Sequence, residues 1–187
     1  MAFFSWTIGC WLAIGLPLTA QAEEPPAEIV GGVGFGGGSS SWAADPNGFA
    51  ALRVGYRIED FFSVTFAGRL GYAPIDERLL TSLLLGVELW GRWGALRPHA
   101  LLAAAHNHEE PQQAFRANPI GAAFGVGDGI RHRAGAHAGL GLDIALQSHG
   151  DGQVYLSVES GVTWFPDDRG PPLYVGGLLL IAFDYAI

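Results

Sequence analysis

The sequence predicts an all-β protein: an eight-stranded antiparallel up-and-down transmembrane β-barrel, preceded by a cleaved signal peptide. Three observations carry this reading. After the first two dozen residues, the chain divides into segments of about ten residues that alternate bulky apolar with small or polar side chains, the length and period of a tilted strand crossing a bilayer. The connections between segments alternate between short turns and longer loops, as in a barrel whose two ends lie on one side of the membrane. The bulky face also carries too much side-chain volume to fit inside eight strands.

The removable segment comes first. An apolar run from Phe3 to Leu18 is too short for a comfortable membrane helix and is followed by Ala20-Gln21-Ala22 and the acidic pair Glu23-Glu24. A small-x-small signature behind a short apolar core marks a secretory signal peptide over residues 1–22, leaving a barrel domain over 23–187. Cys10, the only cysteine, falls in the removed part, so the mature chain has neither a disulfide nor a cysteine metal cluster.

The strands then follow in order. Residues 29–37 are Gly-rich, with Ile29, Val33 and Phe35 on the apolar face. Next, Ala50, Leu52, Val54, Tyr56 and Ile58 oppose Arg53 and Arg57, and after a turn at 59–60 Phe62, Val64, Phe66, Leu70 and Tyr72 oppose Ser63, Thr65 and Arg69. Leu83, Leu85, Val87 and Leu89 oppose Glu88 and Trp90. The fifth segment, 96–106, contains the adjacent Leu101 and Leu102 and many alanines, and its faces are not assignable. Leu140, Leu142, Ile144 and Leu146 oppose Gly141 and Asp143; Val154, Leu156, Val158 and Val162 oppose Ser157 and Glu159; Leu179, Ile181, Phe183 and Tyr185 oppose Leu180 and Asp184. Connections fall at 38–48 (long), 59–60, 73–78, 91–95, 107–131 (long), 148–152 and 165–172, and Pro111-Gln112-Gln113 with the Gly-rich 121–129 stretch mark the long third loop as mobile.

Eight antiparallel strands also describe soluble barrels, whose outward face is polar. Here one face is made of Leu, Val, Ile, Phe, Tyr and Trp, and only lipid tolerates that much apolar surface turned outward. The other face carries Arg53, Arg57, Arg69, Glu88, Asp143, Glu159 and Asp184, a lumenal charge network in which each group must find a partner because little water reaches it. On this reading, Leu142→Arg is costly and Gly141→Ser is tolerated.

Particular segments strengthen the assignment. Arg97-Pro98-His99-Ala100-Leu101-Leu102 resembles the "RPY-leucine" strands of small outer-membrane barrels, and Gly139-Leu140-Gly141-Leu142-Asp143 resembles their recurring G-x-G-x-D strand. The C-terminal alternation ending at Ile187 is similar to the signal read by the barrel-assembly machinery. Together they resemble the OmpA-like and OmpX-like transmembrane domains. The resemblance implies a place in the outer membrane of a Gram-negative envelope, outer-membrane lipids and lipopolysaccharide as surroundings, the assembly machinery as a partner during biogenesis, and a monomeric protein.

Composition removes several functions. A net charge of -8 with ten arginines and no lysine argues against nucleic acid, which requires clustered basic side chains. Gly36-Gly37-Gly38-Ser39-Ser40 has no following lysine or helix and is not a nucleotide loop. No catalytic residue and no cofactor are assigned: the His-x-Ser pair of lipid A deacylating barrels has His106-Asn107-His108 in its place, and Ser148-His149 sits at the other end of a strand. No metal site is assigned either; His106, His108 and Glu109 come nearest to one, but a strand-end pair of imidazoles needs a further ligand. The expected function is a structural, surface-interaction barrel with a packed lumen. A lipid A or phospholipid-modifying enzyme and a narrow channel for small solutes are the alternatives.

Overall fold

In the computed structural model, residues 29–41, 45–75 and 77–185 are described, so the signal peptide over 1–22 and the terminal Ile187 lie outside them. Eight strands follow one another: β1 (Ile29–Ser40), β2 (Pro46–Glu59), β3 (Phe62–Ala73), β4 (Arg78–Trp90), β5 (Leu96–Pro111), β6 (Arg131–His149), β7 (Gly152–Trp164) and β8 (Leu173–Tyr185). Each pairs antiparallel with its sequence neighbours, and β8 returns to β1 from Ile29↔Tyr185 to Ser40↔Tyr174, closing the barrel. Closure leaves no edge, so every ladder hydrogen bond is made within the wall, as hydrocarbon demands.

The two faces separate as the side-chain period of two requires. Outward, Leu52, Leu85, Leu140, Val158, Leu179 and Phe183 are exposed, while inward Leu84, Glu88, Asp143, Tyr155, Ser157 and Leu180 are almost completely buried. Outward aromatics ring both ends, with Tyr56, Trp93 and Tyr185 at the end with the short turns and Tyr72 and Trp164 at the end with the long loop. Not every strand-end aromatic belongs to these rings: Trp90 and Phe165 are buried inside the barrel.

The strands run further than the apolar pattern indicates. Ser39 pairs with Pro46, so the connection expected to be long over 38–48 shrinks to 41–45. Strand β5 continues five residues past 106, placing His106-Asn107-His108-Glu109-Glu110 in the ladder rather than in a loop. Its faces also become clear, with Leu101 inside at 6% exposure and Leu102 outside at 62%. The third loop holds two short helices, α1 (Gln112–Ala117) and α2 (Pro119–Ala123), the second capped by Asn118, whose side chain accepts from the Gly121 N–H. Helices of six and five residues are too short to show a period in sequence. Helix α1 sits against β4 and β5, and Gly125 further along the loop lies against the outward-facing His108 and His132.

Candidate functional site

The lumen is closed at two levels by buried ion pairs. Toward the short-turn end, Arg97 of β5 lies between Asp143 of β6 and Asp184 of β8. Its Nη2 donates to Asp143 at 2.8 Å, and its Nη1 donates to Asp184 and, at 3.2 Å, to the Tyr155 hydroxyl. Arg57 donates to the same Asp184 oxygen at 2.7 Å. One step further in, Arg53 bridges Glu88 at 2.8 Å and Glu159, with His99 3.4 Å from Glu159 and 3.6 Å from Asp143. Trp90 floors this cluster, its indole N–H donating to Ser63 Oγ at 2.8 Å and its ring centroid 4.4 Å from the Arg97 guanidinium. The arginine fork suits such a place because it can hold two carboxylates at once.

The second closure is at the loop end. Arg133 of β6 donates to Glu109 of β5 at 2.9 Å, to Asp167 at 2.9 Å and to the Pro171 carbonyl at 2.9 Å. Glu109 also accepts from Arg131 at 3.3 Å and from the Tyr174 hydroxyl at 2.8 Å. The Arg133 guanidinium lies 4.5 Å over Phe165, so the connection between β7 and β8 is tied down across the bore. Between the two closures remains a cavity of about 60 Å³, bordered by Arg69, Ser82, Asn107, His137 and Tyr174, room for a few waters at most.

Of the seven lumenal charges named from the sequence, six form ion pairs: Arg53, Arg57, Glu88, Asp143, Glu159 and Asp184. Arg69 stands apart. Among the described residues it makes no ion pair, and its guanidinium lies 5.5 Å from the Phe49 ring beside the cavity. Sequence reasoning missed Arg97 and His99, because the faces of β5 were unassigned, and Arg133, Asp167 and Tyr174, because they were read as loop or left unassigned. The alternation of Arg97, His99, Leu101, Ala105, Asn107 and Glu109 was the available signal for β5. The trio His106, His108 and Glu109 is split by that same alternation: Glu109 turns into the lumen, whereas His106 and His108 face outward with His132.

Glu159→Ala is expected to destabilise the folded barrel by about 1–3 kcal/mol, read as a lower urea midpoint for refolding in detergent. The loss is bounded because Arg53 keeps Glu88. A loss of stability beyond that of removing Arg97 would show Glu159, and not Arg97, to be the centre of the cluster.

No family model matches the chain, and no curated protein matches it. Its structure is similar to solved ones. Neisserial surface protein A superposes with a TM-score of 0.55 at 14% sequence identity, over 85% of this chain and 96% of that one. The N-terminal β-barrel domain of Pseudomonas aeruginosa OprF gives 0.52 at 15% identity, over 85% and 98%. At such identities the likeness concerns the fold, and it agrees with an outward face that only lipid can cover: the chain folds as a small eight-stranded outer-membrane barrel.

Proposed function

We propose that the protein is a non-enzymatic, non-conducting barrel that works at the outer surface of the membrane, through its loops, in contact with outer-leaflet lipopolysaccharide. The double closure of the lumen carries this reading, since a bore occupied by Arg97, Arg53 and Arg133 with their carboxylates leaves no continuous path for solute. Chemistry on lipid is disfavoured by the position of the polar groups. His137 Nδ1 does lie 2.8 Å from the Thr163 hydroxyl, but both are buried in the lumen, away from any acyl chain. The third loop supports a lipid contact. Its helix α1 contacts β4 and β5, and Ile120, Phe124 and Val126 in the same loop expose large apolar surface that a lipid headgroup layer could cover.

In planar bilayers the protein is expected to give no steady ion conductance. Amide hydrogen exchange over residues 112–130 is expected to be slower in nanodiscs containing lipopolysaccharide than in phosphatidylcholine nanodiscs. A stable open channel would favour the solute-channel reading, and equal exchange in the two lipids would remove the lipopolysaccharide contact.

A further inference from the structure

We propose that His106, His108 and His132 form a binding site for a borderline divalent metal ion of the Zn²⁺ class, on the outer wall of the barrel beneath the third loop. Two features of the sheet build it. The alternation of β5 puts His106 and His108 on one face, and the β5–β6 register sets His132 directly opposite His108. The Nε2 atoms of His106 and His108 are 2.8 Å apart, and one nitrogen from each of the three rings lies within 4.8 Å of the others. Tetrahedral zinc with bonds of about 2.0–2.1 Å separates its nitrogen ligands by roughly 3.3 Å. The observed separations bracket that value, so small rotations about the side-chain bonds suffice to converge the three rings on one ion.

The surroundings ask for a cation. Glu110 lies two residues beyond His108 on the same face and is completely buried, and Thr81 is the β4 partner of His108. The Thr81 hydroxyl lies close enough to act on the Glu110 carboxylate, and neither group makes any other hydrogen bond among the described residues. A buried carboxylate is costly unless positive charge stands close to it. A hydrogen bond between His106 and His108 would account for two of the rings, but not for the third or for the carboxylate.

The loop closes over the site. Gly125 has φ of +76°, and a Cβ there would fall 2.7 Å from Cε1 of both His108 and His132, so only glycine lets the backbone cross the rings this closely. The ligands stand at the two feet of the loop, His108 before it and His132 after it. A bound ion would therefore fasten the loop to the wall, adding its binding free energy to the loop's stability.

The test uses the folded mature chain in detergent free of lipopolysaccharide, so that its outcome is separate from the loop's contact with lipid. After removal of metal with EDTA, calorimetric titration with Zn²⁺ near neutral pH should give one site per chain with micromolar or tighter affinity. His132→Asn, at an exposed side chain, should weaken it at least about tenfold, and Zn²⁺ should slow amide exchange over 112–130 in the unmodified protein only. Should the variant fail to fold, Cu²⁺ bound to the unmodified protein should show nitrogen hyperfine splitting from several imidazoles. Absence of binding, or of that splitting, overturns the proposal. So does tight binding that survives His132→Asn but is lost in His99→Gln, which would put the ion in the lumen with Glu88, His99 and Glu159.

Discussion

Arg97→Ala should cost the barrel about 3–5 kcal/mol in urea refolding titrations, the largest effect expected of any single lumenal truncation. Arg97 is the sole guanidinium within salt-bridge distance of Asp143 among the described residues, and Asp143 is completely buried. Without it, that carboxylate keeps only His99 at 3.6 Å, while Asp184 keeps Arg57. The loss is more than electrostatic, because the guanidinium is also held 4.4 Å from the Trp90 centroid and 3.9 Å from that of Tyr155. Arg97→Lys retains the charge but not the fork, and should fall between wild type and alanine. Removing charge on both sides, with Arg97→Met and Asp143→Leu together, should be milder than Arg97→Ala, since no buried anion is then stranded at 143. A loss below about 1 kcal/mol for Arg97→Ala would mean that water enters the lower lumen freely.

That the decisive arginine was not among the expected charges has a physical reason. Strands such as β2 and β6 declare their faces because large apolar residues recur at every second position against small or charged ones. Around Leu101 and Leu102 the pattern breaks: one leucine fills the lumen, the other faces lipid, and alanine fits either side. Parity was thus lost on the strand that carries Arg97, His99 and Glu109. Beyond His106 the difficulty changes. Outward residues at the rim need not be apolar, so a polar His-Asn-His-Glu-Glu run reads as loop although it completes the ladder. The charges of β2, β4, β6, β7 and β8 were legible because each stands alone among small or apolar neighbours. Their pairing was not, since it depends on how far successive strands are staggered around the wall. Gly141 shows a further limit. The sequence marks it as a small inward residue open to enlargement, but a Cβ there would meet His99 Nε2 at 2.2 Å. Smallness on an inward position can mean space already filled from across the bore.

The same strand supplies the second large effect. Leu142→Arg should destabilise the barrel in a bilayer by about 2–4 kcal/mol, the cost of an arginine facing lipid near the midplane. The position follows from the register. Its β7 partner, Val158, lies six residues from Trp164 in one aromatic ring and six from Gly152, which faces Tyr185 in the other. From the midplane an arginine cannot reach either headgroup layer without deforming the wall or the bilayer. Two neighbouring glycines separate this effect from simple crowding. Gly139→Ala should cost much less than Gly141→Ala, because its added Cβ meets the Ser160 carbonyl oxygen at 3.3 Å, a tight contact relieved by a shift of a few tenths of an ångström, whereas the Cβ at 141 collides with His99 at 2.2 Å. The lipid penalty also has a signature that packing lacks: moving the arginine outward along β6, to Ala136 beside Trp164, should reduce the cost to about 0–1 kcal/mol. Folding titrations in vesicles that gave equal losses at 142 and 136 would show that the outer face of β6 is not graded by depth, and the membrane placement of this strand would have to be abandoned.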